Sequence, residues 1–121
     1  MANTFKVVSF AAEPASAGTA YTVYTVAGST TTFVLGLVLS NLHSSAVTVE
    51  VELHSDTANR GGANNVTNGI SYLVKDVTIP SVSSLELLSG GKVVLETTDV
   101  LKIDCSVTDK VSGTLSIMEI T

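Results

Sequence analysis

The sequence predicts an all-β protein, an antiparallel β-sandwich of about eight strands with a jelly-roll or immunoglobulin-like topology. Short apolar segments recur at spacings of about 8–12 residues and are bounded by Gly, Pro, Asn, Asp and Ser, which is typical of sandwiches. Within several of these segments apolar and polar residues alternate, and none shows the period of a helix. At 121 residues, the chain is expected to form one domain over residues 1–121.

The longest apolar segment, residues 30–54, is expected to form a β-hairpin at the centre of the fold. Its second half, residues 47–54, alternates strictly between apolar and polar residues and predicts a strand with one buried face. Strict alternation in the first half would make both faces apolar, one with Phe33, Leu35, Leu37 and Leu39 and the other with Val34, Gly36 and Val38. A strand that is apolar on both faces has to be covered on both, by its own fold or by another chain.

Two strands are predicted before this hairpin. Residues 4–10 alternate, and the two sides of the strand are Phe5, Val7 and Ser9 against Lys6, Val8 and Phe10. Residues 11–18 have no apolar period, so we expect residues 1–18 to form an arm that pairs with its own sheet or reaches a neighbour. Residues 19–26 are rich in β-branched and aromatic residues, which favours a second strand.

The C-terminal half begins with a polar insertion, the loop 55–69. Loops longer than about 12 residues are usually functional or disordered, so we expect this loop to make external contacts. Strands are then predicted over residues 70–79, 84–88, 92–95, 100–107 and 113–120. Cys105 shares the apolar phase of Leu101 and Ile103, which indicates a small core residue rather than a nucleophile.

The composition is unusually apolar for a small soluble domain. Hydrophobic residues make up 45% and charged residues 14%, where about a quarter are normally charged. No apolar run reaches the roughly 18–20 residues of a membrane helix, so we expect contact with other subunits, and hence a homo-oligomer, to cover the surplus. The 6 Lys and Arg residues against a net charge of −5 argue against nucleic-acid binding.

No catalytic or metal-binding pattern is present in the sequence. There is no G-x-S-x-G turn, and the Asp and Asn residues of the loop 55–69 lack the spacing of a calcium loop. His43 and His54 flank one predicted strand and are interpreted as surface or turn residues. The N-terminus has no basic region followed by an apolar core, so we expect synthesis in the cytoplasm. We predict no enzymatic activity, no cofactor and no metal.

Two segments resemble a known group of proteins. Residues 19–41, TAYTVYTVAGSTTTFVLGLVLSN, and residues 79–121, which contain IP, GKVVLE, DVLK and the closing LSIMEIT, are similar to small virion structural proteins of tailed bacteriophages, including phages of cyanobacteria. The similarity covers residues 19–53 and 79–121 and is carried by strand and turn positions. It departs from the group at the loop 55–69, which shorter relatives replace with a few polar residues.

The resemblance implies a β-sandwich that binds other virion proteins, and it carries over no catalytic residue. We expect a capsid decoration (cement) protein that stabilises the head by bridging major capsid proteins and is located in the virion. A tail, neck or baseplate component and a carbohydrate- or receptor-binding sandwich are the alternatives. The expected contact residues are Phe5, Val8, Phe10, Asn59, Arg60, Asn64, Asn65, Met118 and Ile120.

Overall fold

A computed structural model describes residues 2–55, 69–88 and 93–121 of the chain. Nine β-strands occur in these residues: β1 (Asn3–Glu13), β2 (Tyr21–Thr25), β3 (Thr31–Asn41), β4 (Val47–His54), β5 (Ile70–Ile79), β6 (Ser84–Leu87), β7 (Val93–Leu95), β8 (Val100–Cys105) and β9 (Val111–Ile120). The strands predicted after the polar insertion are confirmed, and their ends differ from the prediction by one or two residues, as is usual at strand ends.

The strands form two antiparallel sheets that pack face to face. Sheet A has the order β1-β9-β3-β6, with β7 also paired to β3, and sheet B has the order β2-β8-β4-β5. The first strand thus lies beside the last, and β1, β2 and β3 alternate between the sheets. When β6 and β7 are counted as one interrupted strand, this is the order of a jelly roll. An immunoglobulin domain differs because its first two strands share a sheet.

Inward-facing side chains of both sheets form one hydrophobic core. Its largest fully buried members are Leu37, Leu39, Ile79, Leu95, Leu101, Ile103, Leu115 and Ile117. They come from strands far apart in sequence, so the sandwich closes only when both sheets are in place. Cys105 lies in this core with 3% of its surface exposed, which confirms the interpretation of its apolar phase.

The predicted central hairpin is wrong, because its two halves lie in different sheets. β3 pairs with β6, β7 and β9 in sheet A, whereas β4 pairs with β5 and β8 in sheet B. Residues 42–46 therefore cross between the sheets. An apolar strand, a short turn and a second strand have the same hydrophobic pattern whether the turn closes a hairpin or spans the sandwich.

A β-bulge in β3 changes which of its side chains face the core. The register with β9 shifts between Val34 and Gly36, and Leu35 is the extra residue. The prediction from strict alternation, which grouped Phe33 and Leu35 with the residues after them, is therefore wrong. The buried side of β3 contains Val34, Leu37 and Leu39, and the outer side contains Phe33, Leu35 and Val38.

The N-terminal segment that was expected to form an arm contains the edge strand of sheet A. β1 continues as far as Glu13 and pairs with β9 of the same chain, with an unbroken register from Asn3 to Phe10. The loop 55–69 lies outside the described residues except for Ser55 and Gly69.

Candidate protein-binding surface

The outer sides of the two sheets differ in their chemistry. On sheet B the outward positions of β4 and β8 carry charged and titratable residues, which are Glu50, Glu52, His54, Lys102 and Asp104. On sheet A, Glu86 is the single charged residue at an outward position of the described strands. The outer side of sheet A also carries uncharged polar residues, among them Ser9, Ser84, Ser112, Thr114 and Ser116. We call its apolar part the apolar face, defined by Phe5, Val7, Phe33, Leu35, Val38, Val94, Met118 and Ile120.

The centre of the apolar face is a row of four side chains in register across four strands. Phe5 in β1 lies opposite Met118 in β9, Met118 opposite Phe33 in β3, and Phe33 opposite Val94 in β7. Residues that are directly opposite have Cβ atoms about 4.5–5.5 Å apart, which is the distance at which cross-strand side chains interact. Phe5 keeps 71% and Val94 52% of its surface exposed. The row is therefore continuous, and both of its ends are open to solvent.

A hollow lies beside this row at the β-bulge of β3. It has a volume of about 210 Å³ and is lined by Phe5, Lys6, Val7, Leu35, Ser116 and Ile117. Val7, which is 68% exposed, faces Ser116 across the β1–β9 pair. Because a bulge places an extra residue on one strand, Leu35 reaches this side of the sheet. The apolar face thus presents an exposed ring directly beside a concave site.

The charged groups nearest to the apolar face are already paired with each other. Lys6 Nζ lies 2.8 Å from Glu119 Oε1, and the Tyr24 hydroxyl lies 2.5 Å from Glu119 Oε2. The hydrogen bonds from Lys6 and Tyr24 lower the pKa of Glu119, and burial raises the pKa of Tyr24 to about 12. Glu119 is therefore ionised at neutral pH, and its charge is paired with that of Lys6, so it adds no unpaired charge beneath the face.

A larger hollow on the other side of the molecule is acidic. It has a volume of about 320 Å³, and its lining includes the carboxylates of Glu50, Asp76 and Asp104. Two of these are partnered within the chain: Asp104 Oδ1 accepts a bond of 3.1 Å from the backbone N–H of Gly18, and Lys75 Nζ donates one of 3.0 Å to Glu50. Within the described ranges no group of three or more residues is arranged to bind a metal ion.

The predicted contact residues are divided between the surface and the core. Phe5, Met118 and Ile120 lie on the apolar face. Val8 packs against the core and Phe10 is 8% exposed, because even-numbered residues of β1 face inward as far as Phe10. Asn59, Arg60, Asn64 and Asn65 lie outside the described residues.

Sequence reasoning missed several members of the apolar face. Val7 could have been found, since it shares the phase of Phe5 in a strand whose alternation is regular. Leu35 and Val94 could not, because the first depends on the bulge and the second on the pairing of β7 with β3.

Comparisons of the chain with protein-family models, with curated proteins and with solved structures find no match. The similarity to virion proteins therefore stays a prediction. No helix in residues 2–55, 69–88 and 93–121 is long and apolar enough to cross a membrane.

Proposed function

We propose that the chain is a virion structural protein of a tailed bacteriophage. In this proposal it acts as a capsid decoration (cement) protein that stabilises the head by bridging major capsid proteins. The observation that carries the proposal is the apolar face: one outer side of the sandwich has the chemistry of a contact surface, whereas the other has the chemistry of a solvated one. The resemblance of residues 19–53 and 79–121 to phage virion proteins gives the setting.

The size of the apolar face supports a role in binding other proteins. Four neighbouring strands at about 4.8 Å, over about seven residues at about 3.3 Å each, give a face of roughly 440 Å². Exposed apolar patches of about 300–600 Å² are often functional. At about 25 cal/mol per Å², covering the face would contribute on the order of 10 kcal/mol, most of which association costs would offset. A weak contact of this kind becomes effective when a shell repeats it many times.

The charge distribution fits assembly from a soluble pool of free chains. The net charge is −5, and the outward charges of sheet B remain exposed to solvent when the apolar face is covered. An acidic surface keeps unassembled copies apart in solution. The jelly-roll order of the strands is compatible with this role, since it occurs in viral capsid domains as well as in lectins.

A glycan-binding role receives less support from the described residues. Sugar sites usually present an aromatic ring with free polar groups around it. The exposed ring on sheet B is that of Tyr72, which is 47% exposed, and Lys75 Nζ lies 4.6 Å from its centroid. The ammonium group therefore occupies the side of the ring on which a sugar would stack.

Quantitative mass spectrometry of purified particles tests the proposal, with heads separated from tails. A decoration protein should be found in the head fraction in a copy number comparable to that of the major capsid protein. A few copies in the tail fraction would instead indicate a tail, neck or baseplate component. Absence from particles would overturn the proposed function.

Heads that lack the protein provide a second test. They should lose their contents at a lower temperature than complete heads, because fewer contacts then resist the internal pressure. Adding back the wild-type chain should return the temperature at which the heads lose their contents to that of complete heads, whereas adding the Phe5→Glu variant should not. Equal heat resistance of complete and deficient heads would contradict a stabilising role.

A further inference from the structure

The apolar face is the side on which two copies of the chain can meet without bringing like charges together. Two copies that met through sheet B would bring together surfaces that each carry the carboxylates of Glu50, Glu52, Asp76 and Asp104 against the ammonium groups of Lys75 and Lys102, an excess of negative charge on both sides. Glu86, which is the one outward charge on sheet A among the residues that the structure describes, lies on β6, at the opposite edge of the sheet from Phe5 in β1. Electrostatics therefore favour self-association through sheet A.

The geometry of the face is self-complementary. In a two-fold contact both copies use the same surface patch. A projecting side chain and the hollow that receives it must therefore lie on that one patch, so that each copy inserts its side chain into the hollow of the other. Phe5 projects with 71% of its surface exposed, and the hollow beside it is lined by Val7, Leu35 and Phe5 itself. A Phe5 ring from a second copy would pack against the first, in the offset or tilted arrangement that aromatic pairs prefer.

The area of the face is that of a small protein contact. Roughly 440 Å² from each copy gives about 900 Å² in total, which is just below the roughly 1,000 Å² of a stable specific interface and typical of a weak, transient one. Two sheets stacked about 10 Å apart would interdigitate their side chains as the two layers of the sandwich do. The contact is therefore large enough for a reversible dimer and too small for an obligate one.

We infer that the apolar face pairs with the same face of a second copy, with Phe5 of each copy seated in the hollow of the other. This inference rests on the proposed role of the face as a protein contact, and it names the first partner as the chain itself. In the proposed decoration protein, the building block would be a two-fold dimer whose apolar faces cover each other.

Sedimentation velocity of the full chain from about 1 µM to about 1 mM tests the pairing. The wild type should shift from monomer to dimer within this range. Phe5→Glu should raise the dissociation constant by at least about thirty-fold, because it replaces a central aromatic anchor with a carboxylate. Thr22→Glu is the matched control: it adds the same charge at an exposed position on sheet B, opposite Lys102, and should dimerise like the wild type.

The outcomes separate this inference from the proposed function. A wild type that stays monomeric, forms trimers, or associates as strongly as its Phe5→Glu variant overturns the pairing. Thermal unfolding of both variants near the wild-type midpoint would exclude misfolding as the cause of a lost dimer. A monomer that is nevertheless abundant in phage heads leaves the proposed function standing, and a dimer that is absent from particles leaves only the pairing standing.

Discussion

The Tyr24 hydroxyl of sheet B donates a hydrogen bond of 2.5 Å to Glu119 Oε2 of sheet A. The same hydroxyl lies 2.9 Å from Thr32 Oγ1, and Lys6 Nζ binds the other oxygen of Glu119 at 2.8 Å. The two sheets are thus joined by polar side chains as well as by their hydrophobic core. These polar residues lie on the inner side of sheet A, and the row from Phe5 to Val94 lies on its outer side. The hydrogen bonds therefore hold the strands that carry the apolar face against sheet B.

Removal of the Tyr24 hydroxyl is expected to destabilise the fold in a manner that depends on pH. The pKa of Tyr24 is about 12 in the folded chain, against an ordinary value of 10.0, so its stabilising contribution is complete below pH 10 and is lost as the pH rises through 12. Tyr24→Phe should lower the free energy of unfolding by about 1 kcal/mol at pH 7, and the difference from the wild type should narrow between these two pH values.

Urea unfolding at a series of pH values measures this difference. Tyr72→Phe, at an exposed tyrosine, is the control and should change the free energy of unfolding little at pH 7. A Tyr24→Phe deficit that persists undiminished above pH 12 would contradict the assigned role of the hydroxyl.

A side chain at Gly113 is expected to destabilise the fold, because the Phe10 ring occupies the space above this residue. A Cβ atom at Gly113 would overlap Phe10 Cζ and would lie 3.2 Å from Leu39 Cδ2. Gly113→Ala should therefore cost about 1–3 kcal/mol of stability through overpacking. Gly28→Ala is the matched control, since a Cβ there meets nothing within 4 Å.

A double variant checks the cause of this loss. If the Phe10 ring is responsible, Gly113→Ala combined with Phe10→Ala should cost less than the sum of the two single changes. Urea unfolding of the single and double variants gives the coupling. Additive costs, or a Gly113→Ala variant as stable as the wild type, would show that the ring does not lie where the structure places it.

The β-bulge in β3 predicts opposite outcomes for two leucines that are two positions apart. Leu37→Glu should abolish folding, because it places a carboxylate at a fully buried position. Leu35→Glu should leave the fold intact and cost about 1 kcal/mol or less, since Leu35 is the half-buried extra residue that lines the outer hollow. Soluble yield and circular dichroism distinguish the two. Strict alternation would instead place both leucines on one side, and equal loss of structure in both variants would support it.

Periodicity predicted the strands well and their partners poorly. The side of Cys105 and the alternation of β1 follow from local sequence, because each strand buries one face whatever sheet it joins. The packing of the whole sandwich determines that residues 42–46 cross between the sheets, and the local sequence pattern does not indicate this crossing. The bulge at Leu35 is likewise not indicated by the sequence. Residues on both sides of it are apolar, so a one-residue shift in which side chains face the core does not change the hydrophobic pattern.

The candidate site shows the same division between local and non-local information. Phe5, Met118 and Ile120 could be proposed from excess apolar character near the two ends of the chain. Their alignment with Phe33 and Val94 depends on register between strands that are distant in sequence. The face as a surface could therefore be recognised only from the fold.

Thiol labelling in intact particles tests most directly whether the apolar face is covered by a neighbouring protein. Cys105 is 3% exposed and Val7 is 68% exposed, so Val7→Cys introduces one reactive thiol on the face, and Thr22→Cys reports on reagent access at sheet B. Val7→Cys should react with a maleimide at least about tenfold more slowly in purified particles than in the dilute free chain. Equally fast labelling in the two states would contradict this prediction.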